Sequence, residues 1–382
     1  MTKRLVIITE IISPYRIPLF NVLAQRPGLD LHVIFLAETD PVLRQWNVHK
    51  QDIRFKYEVL SSWRMRFGGF NVLMNRGLSR AVNDGGTGAI LCGGYNYLAS
   101  WEALIWSRLH KIPFLLWSES NLHELRSDRS SLKLLKSEFL RHCDAFVVPG
   151  LSAREYLRSY DVADSSIFTA HNAVDNELFS AGSSQARQNA DEIRRELALP
   201  GRYFLFVGRF VKEKGVFDLL SAYAKLDARL REQIGLIFVG DGVARRDLER
   251  QAQAVSPGVI RFAGFRQQDE LSKFYALADV LILPTYTDSW GLVVNEAMAC
   301  GLPVILSKTA GCAADLVTQD WNGLLVDYSD SESLAAALSR LAEDQALCME
   351  MGERSKQRIS GFSPVHWADG VCAAVENFLR TE

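Results

Sequence analysis

Along the whole chain, short runs of β-branched, aliphatic and aromatic residues alternate with longer segments of helical pattern. Strands that are apolar at every position are covered on both faces, and such strands belong to parallel sheets layered with helices. In the first half the runs predict strands at 5–9, 31–36, 89–92, 114–117, 145–148 and 167–170; in the second, at 203–207, 236–239, 259–262, 280–283, 304–306 and 323–326. Two doubly wound Rossmann-like parallel sheets of class α/β follow. At 382 residues the chain is long enough for two domains of similar size, each with its own core.

The polar stretch that opens at Gly182-Ser183-Ser184 separates the two sets, so it marks the expected boundary. The expected division is an N-terminal domain over 1–182, a linker over 183–200, a C-terminal domain over 201–362, and a last helix over 363–382 packing back on the first domain. Ligands of such sheets sit beyond the carboxyl ends of the strands, so the loops that follow strands carry the candidate chemistry.

Several classes drop out. The turn after the first strand, Ile11-Ile12-Ser13-Pro14-Tyr15-Arg16, has no G-x-G-x-x-G, and there is no Walker A sequence. A net charge of −2 does not suggest nucleic acid. The six cysteines, at 92, 143, 300, 312, 348 and 372, form no C-x-x-C pair, which fits reduced thiols in the cytoplasm better than a disulfide framework or zinc site. The apolar stretch after Lys3-Arg4 meets Glu10 too soon for a signal peptide, and no run reaches the roughly 18 residues of a spanning helix. Residues 1–182 nevertheless carry three more basic than acidic side chains, gathered at Arg64/Arg66/Arg76/Arg80 and at Arg126/Arg129/Lys133/Lys136/Arg141. The second group runs along a helix with Leu132, Leu135, Phe139 and Leu140, a pattern open to two readings: a solvated face over a buried one, or peripheral docking on the anionic inner face of a membrane.

Two segments carry the chemistry. Gly208-Arg209-Phe210-Val211-Lys212-Glu213-Lys214-Gly215 leads from a strand into a helix, where two cations beside free helix amides make a natural diphosphate site. Farther on, Asp288-Ser289-Trp290-Gly291-Leu292-Val293-Val294-Asn295-Glu296 runs from a strand end into a helix. Asp288 there can accept from a sugar hydroxyl and Glu296 from ribose hydroxyls; taken singly, a helix N-cap and an exposed helical acid explain them better.

Together the two segments resemble glycosyltransferase family 4. The family's G-R-x-x-x-x-K-G falls on Arg209 and Lys214, and its E-x7-E on Asp288 and Glu296, with Asp for the usual first Glu. Further likenesses are Gly240-Asp241-Gly242, Arg261 to Phe265, Glu296 to Val304, Asn322 to Val326, Ala310 to Asp315 where the family has G-G-x-x-E, and His171 to Asp175 where it has P-N-G-V-D. The resemblance implies a GT-B fold of two domains facing a cleft, and a retaining transferase. Its leaving phosphate would take part on the face of acceptor attack, with no metal ion or other cofactor. It further implies that Arg209, Lys214 and Asp288 act on the leaving group and sugar. Gly208 and the amides of Gly291 and Leu292 would hold the diphosphate, Glu296 the ribose, and Phe265 and Arg266 the base. The donor is then a nucleotide sugar such as a UDP-sugar, and the acceptor a saccharide or lipid-linked saccharide. The Ser13-Pro14-Tyr15-Arg16 loop resembles that of enzymes building bacterial surface polysaccharides. Tyr15, Arg16 and Glu119 are the acceptor candidates, each at a strand end. Two other readings stand beside this one: a related nucleotide-sugar epimerase, and a non-catalytic nucleotide-sugar-binding partner of a transferase.

Overall fold

The computed structural model describes residues 3–40, 46–67, 70–83, 86–123, 130–255 and 258–379. The chain forms two compact units: one of residues 1–122, 126–172 and 364–382, and one of residues 123–125 and 173–363.

The first unit holds β1 (Lys3–Thr9), β2 (Leu29–Phe35), β3 (Lys56–Val59), β4 (Ser61–Phe67), β5 (Phe70–Arg76), β6 (Thr87–Gly93), β7 (Phe114–Trp117), β8 (Ala145–Val148) and β9 (Ile167–Thr169). Seven of them form a parallel sheet in the order β3-β2-β1-β6-β7-β8-β9, while β4 and β5 pair as an antiparallel hairpin. The sheet centre is apolar throughout: Leu5 to Ile8, Ala89 to Cys92, Phe114 to Trp117 and Ala145 to Val148 are all buried.

The second unit holds β10 (Tyr203–Val207), β11 (Gly235–Val239), β12 (Ile260–Gly264), β13 (Val280–Leu283), β14 (Val304–Ser307) and β15 (Gly323–Val326). These form one parallel sheet, ordered β12-β11-β10-β13-β14-β15. Phe206, Phe210, Phe238 and Phe262 cluster over its first strands, with Phe206 tilted and Phe210 edge-on to Phe238, and Phe238 and Phe262 face to face at 5.1 Å. In each sheet the order turns back beside the first strand, between β1 and β6 and between β10 and β13. Such a reversal leaves a crevice at the carboxyl ends, because the loops on either side run in opposite directions. The doubly wound α/β class is as the sequence predicts, with every expected strand present and its ends shifted by at most two residues.

Three differences are informative. The strand β3 and the hairpin β4–β5 lie outside the sequence-derived set: β3 is an edge strand whose side chains are mostly exposed, so it lacks an apolar run. The expected linker over 183–200 is helical instead, with helices Asn176–Gln188 and Ala190–Glu196 inside the second unit. Polar composition concealed a buried stripe of Phe179, Ser183, Ala186 and Ile193, and Arg187 donates to the carbonyls of Ala276 at 3.1 Å and Cys300 at 2.5 Å. The units accordingly divide between Asn172 and Ala173, ten residues before the expected boundary at 182. Helix Pro364–Leu379 belongs to the first unit, where Trp367 packs on Phe20 and Trp117 with ring centres 5.8 and 5.3 Å away.

Candidate active site

In the second unit the reversal point lies between the loops that follow β10 and β13. The β10 loop passes Arg209, makes a short 3-10 turn over Lys212–Lys214 and enters helix Val216–Ala224 through Gly215. Gly215 has φ +66°, and a Cβ there would lie 2.0 Å from the carbonyl oxygen of Pro284, so only glycine lets the two loops meet. The contact is pinned by Tyr286 N and Thr285 Oγ1, which donate to the Glu213 carbonyl at 2.8 and 2.9 Å.

This docking brings Lys214 to Asp288, and the two form an ion pair whose side chains are only 15% and 17% exposed. Asp288 is held from behind as well: Gly311 N donates to its carbonyl at 3.0 Å, and Cys312 N to that of Trp290 at 3.1 Å. Gly291, at φ +98°, caps helix Leu292–Ala299, and a Cβ on it would lie 3.7 Å from Asp288 Oδ2. The Asp288 carboxylate therefore sits beside a helix start, whose first amides have no carbonyl one turn back. Trp290 is buried below, its indole N–H donating to Asn295 Oδ1 at 2.8 Å. Arg209 is exposed at the mouth of the β10 loop.

The structure thus joins Lys214, Asp288, Gly291 and Leu292 at one strand edge, with Gly208 and Arg209 at the root of the same loop. Phe265 is 41% exposed at the end of β12, and Arg266 beside it pairs with Glu270 at 3.1 Å. Glu296 is wholly buried, and Tyr275 donates to its Oε2 at 2.6 Å. Glu296 lies about one turn into helix Leu292–Ala299, against which helix Gln268–Leu277, carrying Tyr275, packs.

In the first unit the strand-end loops gather a second group. Arg16 donates through Nη2 to Glu119 Oε1 at 2.5 Å and through Nη1 to Asn172 Oδ1 at 3.1 Å, while Asn172 Nδ2 donates to the same Glu119 oxygen at 3.0 Å. The guanidinium lies 4.1 Å over the Trp117 ring, which restrains it further. The Tyr15 ring meets Trp46 edge-on at 6.1 Å. Asn172 and Trp117 had no role in the sequence reading, although both stand at strand ends, where such roles concentrate. A third group lies at the ends of β1, β2 and β6: Arg64 pairs with buried Asp40 at 2.6 Å and with Glu10 at 3.6 Å. Burial, with Glu10 and Asp40 adding to it, holds the neighbouring Tyr97 phenol above its ordinary range.

Of the second basic stretch, Arg126 and Arg129 lie outside the described residues. Lys136 faces inward, donating to the Tyr156 hydroxyl at 2.6 Å with the Tyr95 and Tyr160 rings near its ammonium. No helix among the described residues is long and apolar enough to cross a membrane.

Residues 189–358 match the family described as glycosyl transferases group 1. This segment is similar to that family. It lies wholly within the second unit and contains Arg209, Lys214, Asp288 and Glu296. Among curated proteins the chain is similar to a D-inositol 3-phosphate glycosyltransferase of Corynebacterium jeikeium, 32% identical over 61% of this chain and 57% of that protein. The chain spans a little over half the length of the curated relatives it matches. In fold it is similar to a sucrose-phosphate synthase of Thermosynechococcus elongatus, 21% identical, with a TM-score of 0.75 over 98% of each chain. Anabaena Alr3699/HepE, solved in complex with UDP and glucose, is 19% identical with a TM-score of 0.74 over 98% of this chain and 100% of its own. These likenesses show the GT-B type of fold, built of two doubly wound units.

Proposed function

We propose that the protein transfers a sugar, with retention and without a metal ion, from a nucleoside diphosphate sugar to a saccharide or lipid-linked saccharide in polysaccharide or glycoconjugate assembly. The observation that carries this reading is the Lys214–Asp288 pair at the reversal point of the second sheet, beside the start of helix Leu292–Ala299. A diphosphate at that edge meets Lys214, Arg209 and the first amides of the helix, which together disperse the charge that develops as the sugar leaves. Asp288 then accepts from a sugar hydroxyl. Because its side chain is one methylene shorter than glutamate, the sugar must sit closer to the loop. The exposed Phe265 offers a stacking surface for the base. Glu296, whose Oε2 accepts from Tyr275, is assigned to the ribose hydroxyls of the donor.

Acceptor binding is assigned to the first unit, where Arg16, Glu119 and Asn172 offer fixed hydrogen-bonding groups at strand ends. A UDP-sugar donor is supported by the UDP complex of the similar Anabaena structure, and a hydroxylated acceptor by the activity named for the curated relatives.

The test is calorimetric titration of the whole chain with UDP, GDP, ADP, CMP and dTDP, with and without EDTA. Binding of one diphosphate, unaffected by EDTA and lost in Arg209→Ala/Lys214→Ala, is expected. Failure of all five to bind would overturn the reading.

A further inference from the structure

We propose that the hairpin β4–β5 docks the protein on an anionic lipid bilayer. The hairpin has two unlike faces. On one, Arg64 reaches Asp40, Leu73 is buried and Asn75 Nδ2 donates to the Leu36 carbonyl at 2.5 Å, so this face is fastened to the first unit. On the other, the register sets Trp63 opposite Met74 and Met65 opposite Val72, and alternation turns all four away from the fastened side. Trp63, Met65 and Met74 are 52%, 51% and 42% exposed, an apolar surface open to solvent.

The charged residues of the hairpin stretch itself are of one sign. Residues 61–83 contain four arginines and no aspartate or glutamate. Arg64 is engaged by Asp40 and Glu10, but Arg76 lies 4.5 Å over the outward Trp63 ring, and Arg80 is exposed on the next helix, Leu78–Asn83. A tryptophan and two flexible methionines flanked by guanidinium groups match a bilayer interface, where the indole lies at headgroup depth and the cations meet lipid phosphates. A soluble anionic partner would reward the arginines but leave the apolar face in water. An apolar protein partner would leave the cations without counter-charge. The anionic bilayer answers both, and it deepens the lipid-linked acceptor reading by bringing the first unit to the surface where such an acceptor resides.

The hairpin is a different surface from the helix that the sequence suggested. Helix Ser130–Arg141 exposes Leu134 and Leu135, but Lys136 is drawn inward by tyrosines and Glu138 offsets Arg141 at 3.9 Å. That helix supplies the control.

The experiment is co-sedimentation of the whole chain with vesicles of phosphatidylcholine alone or mixed equally with phosphatidylglycerol, at low and high ionic strength. Binding alone is read, so the outcome does not depend on sugar transfer. Wild type is expected to sediment with the mixed vesicles at low salt and much less with phosphatidylcholine. Trp63→Ser/Met74→Ser should abolish binding, and Arg76→Gln and Arg80→Gln should each weaken it about fivefold. Leu134→Ser/Leu135→Ser should bind as wild type. Because the changed side chains point outward, far-ultraviolet dichroism and melting of each variant should match wild type. Should the serine pair unfold, the arginine variants carry the test. No binding by wild type, undiminished binding by the hairpin variants, or loss confined to the helix variant would overturn the proposal.

Discussion

Lys214 and Asp288 stand 74 positions apart in sequence yet satisfy each other's charge at one strand edge. With both side chains largely covered, the pair competes with any anion that Lys214 could bind. Asp288→Asn removes the competitor, so the diphosphate should bind more tightly, by about 1 kcal/mol or fivefold, while sugar transfer falls because the carboxylate no longer accepts from the sugar. Calorimetry with the preferred diphosphate and a transfer assay separate the two effects; weaker diphosphate binding would show that Asp288 helps to position Lys214 instead. At this scale the sequence marked Arg209, Lys214 and Asp288 as candidates through residue type, spacing and the family resemblance. It could not show that Glu296 lies under Tyr275, because helix periodicity assigns a face without saying which neighbour covers it. Asn172 shows the opposite limit: a strand-end position was legible, but its bonds to Arg16 and Glu119 come from three separate loops.

Among elements, the strongly apolar strands were readable because full burial on both faces leaves no other composition. Strand β3 and the hairpin failed that test, since an edge strand and a two-stranded ribbon each keep an exposed face. The Gly68-Gly69 pair between two alternating segments was the overlooked sequence signal of a hairpin. Helix Pro364–Leu379 shows how strongly a terminal element can be tied into a core. Trp367 is wholly buried against Phe20 and Trp117, and a Cβ on Gly370 would lie 2.2 Å from the Thr169 carbonyl oxygen. Trp367→Ala should therefore cost roughly 3–5 kcal/mol and lower the melting temperature by at least about 6 °C. A change of a degree or less in differential scanning calorimetry would show that the helix contributes little to the first unit.

Over the whole molecule, the thiols give a stability signature that the folded state alone creates. Burial pushes Cys92, Cys300 and Cys348 up to about 12, whereas in the unfolded chain they ionise near the ordinary thiol value of 9.0. The folded protein therefore holds protons that the unfolded chain loses. Their contribution is complete below about pH 9 and declines as pH rises toward 12, by up to about 1.4 kcal/mol per thiol per pH unit. Melting followed from pH 8 upward should show this decline, and maleimide at pH 8 should leave these three thiols unlabelled until the protein unfolds. Rapid labelling of all three in the native state would contradict their burial.

By itself the sequence determined two parallel α/β sheets, the loops that could hold a diphosphate, and the residue types in those loops. These depend on local apolar runs and on motifs only a few residues long. Tertiary structure alone decided which charges neutralise one another, that Glu296 and Lys136 face inward, that residues 183–200 belong to a packed helical layer, and that Trp63, Met65 and Met74 face outward. Each of these depends on what lies across a sheet edge or beneath a helix, and sequence distance carries no information about that neighbour.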